Sequence, residues 1–401
     1  MKRHSAIICF MLLAVIFTAC NRKPAYDSAY YISFAHQLAV SQMKHNPELW
    51  QSDYMKKPKW DYTQGIIANA MLQVYKETDD SAMLGYVQQY ADYFVQPDGT
   101  ILTYKIADYN IDRVMGGYFL YDLYSINPQP QYLLAIETLR EQLRTQPRTS
   151  DGGFWHKKIY PWQMWLDGLY MGEVFYARYA VENNEPELFE DIVHQFTTVD
   201  SHTLDIETGL NYHGWDESRE QLWADSITGR SPNFWSRSIG WYMMALVDVL
   251  DLMPETHPQR QELINILHRL GKALIRFRDR NTCMWYQVTD CPTREGNYLE
   301  STSSAMFCYA FAKAARLGFL HKEYADYAQE TFDGMMKNVI KQNADSTISL
   351  TNCCAVAGLG GKPYRNGTYE YYISEPVRDD DPKGVGPLIF AALELAIGEK
   401  E

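Results

Sequence analysis

Apolar residues along most of this chain recur at intervals of three and four, the spacing that lines one face of an α-helix, and strand-like alternation is scarce. The pattern predicts about twelve helices, near 27–45, 62–77, 80–95, 111–125, 129–146, 162–183, 185–199, 234–252, 257–278, 300–317, 321–341 and 384–398. Turn-forming residues punctuate them at Asn127-Pro128, 183–186, 254–258 and Gly358-Leu359-Gly360-Gly361. No low-complexity linker divides the chain, so a single domain is expected over 27–401.

Every second predicted helix is preceded or opened by a dense aromatic and charged cluster. These are Trp60-Asp61-Tyr62, Tyr109-Asn110-Ile111-Asp112, 160–167, 233–241, 298–304 and 374–386. The helices between them open with blander, surface-like sequence. Six inner helices alternating with six outer ones would bring all the clusters to one mouth of a ring, so the expected fold class is all-α, an (α/α)6 barrel. A helical solenoid is the competing architecture, but the helix pairs carry no recurring repeat signature.

The N-terminal residues follow a different pattern. Lys2 and Arg3 precede the apolar run 6–17, which is shorter than the roughly 20 residues a spanning helix needs and reads as a signal-peptide core. It ends in Phe17-Thr18-Ala19-Cys20, similar to a bacterial lipobox, so residues 1–19 are expected to be a cleaved leader and Cys20 the lipidated first residue of a short tether, 20–26. Ordinary cleavage with Cys20 incidental is the alternative. Asn21-Arg22-Lys23 has no acidic cluster to signal surface export, and a lipid-anchored protein facing the periplasm is expected.

Composition narrows the function. The net charge is −13 and becomes −15 without Lys2 and Arg3, which argues against nucleic acid as a partner. It leaves room for an anionic small substrate held in a local basic pocket. Thirty Tyr and ten Trp supply faces that stack on the apolar sides of sugar rings. Beyond Cys9 and Cys20, the five cysteines Cys283, Cys291, Cys308, Cys353 and Cys354 form no Cys-x-x-Cys pair, hence no zinc site and no disulfide framework. Cys283 and Cys291 could bridge in an oxidising periplasm, although their spacing alone is weak evidence for it. Phosphate loops, His-Glu-x-x-His helices and Gly-x-Ser-x-Gly elbows are missing from the sequence.

Candidate chemistry concentrates in three segments. In the first, 156–172, Asp167 lies within an otherwise apolar and aromatic helix beside Trp165, where burial would favour its protonated form, as a general acid requires. Gly168 and Gly172 cost that helix stability and predict a close neighbour on their face. In the second, Asp112 opens a helix; it is either a second carboxyl group at the same mouth or a helix-end charge. The third segment runs from Asn211-Tyr212-His213-Gly214-Trp215-Asp216 past Trp223-Ala224-Asp225 to 231–241 and includes a connection long enough to be a functional loop. Within it Arg237, between Trp235 and Trp241, has the planar fork that suits a carboxylate, or else pairs internally with an acid.

With these residues in place, the chain from about Ala29 to Ile397 resembles the family 105 glycoside hydrolases, the unsaturated rhamnogalacturonyl hydrolases and related unsaturated glucuronidases. The most specific blocks are 160–172, 214–254 and 354–387; the last contains Val356-Ala357-Gly358-Leu359-Gly360-Gly361, Tyr369-Glu370-Tyr371-Tyr372 and Lys383-Gly384-Val385-Gly386-Pro387. The resemblance implies an (α/α)6 barrel and release of a 4,5-unsaturated uronic acid by hydration of its vinyl ether. It implies Asp167 as acid/base, Asp112 as its supporting carboxylate, and a pocket of His213, Arg237, Trp235, Trp241, Trp165, Tyr62, His156 and Lys157. No metal or organic cofactor is implied. Ile111 departs from the family pattern, which often has Met there. The alternatives are an unsaturated glucuronidase acting on arabinogalactan or algal oligosaccharides, another glycosidase or a polysaccharide lyase on the same toroid, and a non-catalytic sugar-binding lipoprotein, which would have no use for a buried acid at Asp167.

Overall fold

A computed structural model describes residues 26–400; the expected leader, Cys20 and most of the tether lie outside the described residues. The helices are α1 Ser28–His45, α2 Tyr62–Thr78, α3 Ser81–Phe94, α4 Asp112–Met115, α5 Leu120–Ile126, α6 Pro130–Thr145, α7 Leu166–Gly168, α8 Val174–Glu182, α9 Leu188–Thr203, α10 Ser236–Leu252, α11 Arg260–Phe277, α12 Ser301–Arg316, α13 Glu323–Asn338, α14 Tyr369–Ser374 and α15 Pro382–Gly398. A π-turn, Leu169–Glu173, joins α7 to α8. Around the ring α2 packs on α4, α4 on the π-turn, the π-turn on α10, α10 on α12, α12 on α15, and α15 closes on α2. Outside them lie α1, α3, α6, α9, α11 and α13, giving an (α/α)6 barrel.

The two rings differ because their sequences bury different fractions of the helix. All residues of α10 from Ser236 to Leu250 are buried, whereas α11 buries a single stripe containing Leu263, Ile266, Leu267, Leu270 and Leu274. Helices apolar all round belong inside; helices with one apolar stripe belong outside. The first turns of the inner helices gather at one end of the barrel. At the other end, residues of their later turns line a cavity of about 260 Å³ that includes Lys76, Asp122, Asp248, Lys313 and Glu394. The charges there are paired, Lys76 with Asp122 at 2.7 Å, Lys313 with Asp248 at 2.8 Å, and Arg316 with Glu394 at 2.8 Å.

Two expected helices are interrupted. Helix 111–125 breaks at Gly116-Gly117, where the Trp60 and Leu139 side chains press on the backbone; a Cβ would come within 2.6 Å of Trp60 Nε1 and 2.2 Å of Leu139 Cδ1. Segment 162–183 begins extended: β1 Gln163–Trp165 pairs antiparallel with β2 Gly214–Asp216, with Trp165 opposite Gly214, before the chain turns helical at Leu166. Periodicity alone misses this because the partner strand lies far along the chain. Two further pairs, β3 Ile340–Gln342 with β4 Ile348–Leu350 and β5 Cys353–Cys354 with β6 Val377–Arg378, flank the last barrel helix. Cys283 and Cys291 are free thiols, so the bridge considered for them is not formed.

Candidate active site

The β1–β2 pair sets the geometry of the mouth. It carries Trp165 to the rim and leaves Asp167 on the first turn beyond it, while Leu166 N–H donates to the His213 carbonyl at 3.0 Å. Asp167 is not sealed in an apolar helix: 14% of its side chain stays exposed, and its Oδ2 lies 3.2 Å from His213 Nε2 without hydrogen-bond alignment. His213 is fully buried and its Nδ1 is 2.7 Å from the Tyr372 hydroxyl. The ring edge of His213 meets Trp165 at 5.4 Å, and its face tilts over Trp235 at 4.7 Å.

Asp112 reaches the same mouth from α4. Gly168 and Gly172 explain the docking: a Cβ on Gly172 would strike Ile111 Cδ1 at 2.6 Å, and one on Gly168 would lie 3.3 Å from His156 Nδ1. The helix bearing one acid thus packs directly on the chain preceding the other. Lys157 Nζ is 2.5 Å from Asp112 Oδ2, and His156 Nε2 is 3.2 Å from Oδ1. Burial works to raise the Asp112 pKa, but the charge and hydrogen bond of Lys157 overcome it and hold the carboxyl below its usual range. Burial pushes His156 down to about 4, so at neutral pH a neutral ring, rather than a cation, faces Asp112. Burial also opposes the charge on Lys157, yet Asp112 raises its pKa overall.

The two halves meet across one indole. His156 stacks on Trp165 at 4.3 Å and 19°, Tyr160 stacks on it at 5.1 Å and 23°, and His213 closes its edge. In order across the mouth run Asp112, His156, Trp165, His213 and Asp167.

Arg237 lies deeper. It is 1% exposed, with its guanidinium 4.8 Å over the Trp235 ring, Nη1 donating to the Cys354 carbonyl and Nη2 to the Ala355 carbonyl, while Nε is buried without a protein partner. Neither an aspartate nor a glutamate pairs with it directly among the described residues. Although burial opposes its charge, Cys354, Asp381, Glu300 and Tyr62 raise its pKa overall. Trp235 donates from Nε1 to Gln287 Oε1 at 3.2 Å and is buried. Trp241 turns toward the barrel interior, stacked on Tyr170 at 5.0 Å and edge-on to the half-buried Tyr62 at 6.3 Å. Both indoles meet protein rather than solvent, as does Trp165, so Tyr62 and Lys157 carry more of the accessible surface here than Arg237 does. Asp216 and Asp225, close to His213 in sequence, instead accept backbone N–H groups of their own turns.

Sequence reasoning passed over several neighbours. Tyr372 holds His213, and only its position inside the Tyr369-Glu370-Tyr371-Tyr372 cluster hinted at a role. Arg365 reaches across from the 358–365 turn, with Nη2 donating to the Tyr160 hydroxyl at 2.8 Å. Glu300, fully buried, caps α12 through Thr302 N–H and Ser303 N–H and also accepts Cys354 N–H, tying down the segment that holds Arg237. Buried glutamates are invisible to composition because their burial depends on partners distant in sequence.

Comparison with known proteins agrees with the fold. The family model described as Glycosyl Hydrolase Family 88 matches residues 34–397. A family 105 glycoside hydrolase structure from C. acetobutylicum shares 41% identity and a TM-score of 0.87, over 90% of this chain and 99% of that one. Protein Atu3128 of Agrobacterium fabrum is 41% identical over 230 residues, 56% of this chain and 97% of that protein. The unsaturated rhamnogalacturonyl hydrolase YesR of Bacillus subtilis is 25% identical over 314 residues, 76% of this chain and 84% of that protein. With a match running from α1 into the last turn of α15, the chain belongs to glycosyl hydrolase family 88 and is a glycoside hydrolase.

Proposed function

We propose that this enzyme removes a 4,5-unsaturated uronic acid from the non-reducing end of lyase-generated oligosaccharides by hydrating the vinyl ether, with rhamnogalacturonan-type disaccharides as substrates. The observation that carries the reading is the pair of differently held carboxyl groups, Asp112 and Asp167, each beside a histidine and separated by Trp165. Asp112, held ionised by Lys157, suits a fixed negative charge that steadies a developing cation. Asp167, partly open and with no Lys or Arg paired to it among the described residues, suits proton exchange. In this scheme Asp167 protonates C4 of the sugar, water adds at C5 and returns its proton to Asp167, and the hemiketal opens to release the remaining saccharide. Tyr62 offers a surface for the ring, and His156, His213, Trp165, Trp235 and Trp241 back the pocket. Lys157 and Arg237 offset the uronate's charge.

The sugar that follows the uronate rests on the likeness to the rhamnogalacturonyl hydrolase of B. subtilis. An unsaturated glucuronidase on arabinogalactan or algal oligosaccharides is the second reading. Loss of the ultraviolet absorbance of the conjugated double bond, followed on a panel of lyase-digested polysaccharides, tests both. Turnover confined to non-rhamnogalacturonan digests would move the substrate, and no loss of absorbance on any digest would end the hydration reading. We also propose that Cys20 anchors the enzyme by lipid to a bacterial membrane, facing the periplasm.

A further inference from the structure

Behind the mouth, on the side of His156 away from Asp112, lies an internal cavity of about 10 Å³, room for one water. Its lining includes Ile111, Phe154, Gly168, His156, Glu173 and Gln195. Two of these present buried polar atoms with no protein hydrogen-bond partner, His156 Nδ1 and Glu173 Oε2, and their residues are 3% and 2% exposed. The Gln195 side chain is already engaged, accepting Phe154 N–H at 2.7 Å and donating to Gly152 and Asp191 at 3.1 Å. Native proteins rarely leave one such atom unpaired, and two facing one water-sized space call for a shared partner.

Chemistry fixes the direction of that link. His156 Nε2 faces the ionised Asp112, so Nε2 carries the hydrogen and Nδ1 is left as a bare acceptor. Ile111, Phe154 and Gly168 have no side-chain donor to offer it. Glu173 ends the π-turn Leu169–Glu173, a local widening of the helix of a kind often found at functional sites, and this places its carboxyl in the cavity. Burial, with Asp191 adding to it against Arg148 and Arg140, holds the Glu173 pKa well above the usual range, so the carboxyl has a proton to give.

We propose that Glu173 is a positioning residue for the reaction: through one internal water it donates to His156 Nδ1 and thereby locks the Nε2–H tautomer that orients Asp112. Its importance for turnover rests on the proposed role of Asp112, but the tautomer itself does not. The groups facing His156 are Asp112, Lys157, Asp167 and His213, and those facing Glu173 are Asp191, Arg148 and Arg140.

The experiment combines ¹⁵N-histidine NMR, infrared spectroscopy and kinetics on the full enzyme, with the His156 signal assigned by its loss in His156→Gln. In the wild type near pH 7, His156 should show a protonated Nε2 and a hydrogen-bonded, bare Nδ1. The infrared spectrum should contain a protonated carboxylic band that disappears in Glu173→Gln. Glu173→Gln, which keeps a donor, should retain the tautomer and kcat within about twofold. Glu173→Met, of similar volume but with no donor, should mix the tautomers and lower kcat by about 3- to 10-fold at little change in KM, the worth of one hydrogen bond. The opposite tautomer in the wild type, or no protonated carboxyl assignable to Glu173, overturns the proposal even if Glu173→Met fails to fold. So does a Glu173→Met protein that loses activity with its tautomer unchanged. If the enzyme turns over no unsaturated uronide while the tautomer behaves as stated, the proposed reaction fails and the relay stands.

Discussion

The acid sensitivity of this enzyme should trace to His156. An exposed histidine in the unfolded chain titrates near 6.5, whereas burial holds the native ring at about 4 against the pull of Asp112 and Asp167, with Lys157 and His213 also disfavouring its charge. Between those values the unfolded state binds a proton that the native state refuses. The contribution is therefore fully present above pH 6.5 and falls as pH drops toward 4. At about 1.4 kcal/mol per pH unit, a pKa moved from 6.5 to about 4 lowers stability by about 3 kcal/mol once the pH is below both. At pH 4.5 most of this loss, about 2–3 kcal/mol, should already be visible. Urea unfolding followed by tryptophan fluorescence at pH 7.5 and 4.5, on the wild type and on His156→Gln, isolates the term because the other titrating groups are common to both. The wild type should lose about 2–3 kcal/mol more than the variant between the two pH values. Equal losses in the two proteins, or a His156 ring that titrates above pH 6 by NMR, would refute the reasoning.

Asp167→Asn should keep the parent circular dichroism and lower kcat by roughly 100- to 10,000-fold, the usual contribution of a general acid, so retention of a tenth of wild-type turnover would contradict its role. Arg237→Ala should weaken the uronate substrate by on the order of 2–5 kcal/mol while sparing its carboxyl-reduced analogue, with Arg237→Lys milder. Because Arg237 also holds the Cys354 and Ala355 carbonyls, equal losses on both substrates would make it a support of that loop and leave Lys157 as the uronate's cation. Cys20→Ser should release a soluble periplasmic form or leave an uncleaved precursor, and failure of labelled fatty acid to enter the wild-type protein in its native host would remove the anchor.

Much of this protein is determined by local sequence. Whether a helix is apolar all round, like α10, or along one stripe, like α11, decides inner against outer place, and burial follows from residues only three and four apart. The aromatic and charged clusters at every second helix start therefore disclosed the ring and the end where the candidate residues gather, and those at 109–112 and 160–167 singled out Asp112 and Asp167 as candidates. What only the tertiary structure decided depends on partners far along the chain. The extended start at 163–165 exists because 214–216 pairs with it, and that pairing leaves Asp167 partly open rather than sealed. Trp241 looks like a sugar platform in sequence but stacks on Tyr170, and Arg237 looks like a free clamp but holds two carbonyls from the 354–355 segment. Ionisation is set the same way: Lys157 and His156 follow a different helix from Asp112, and only folding brings them within hydrogen-bonding reach. Periodicity reports which face of an element is buried; it carries no information about which distant group that face will meet, and charge, tautomer and access are properties of that meeting.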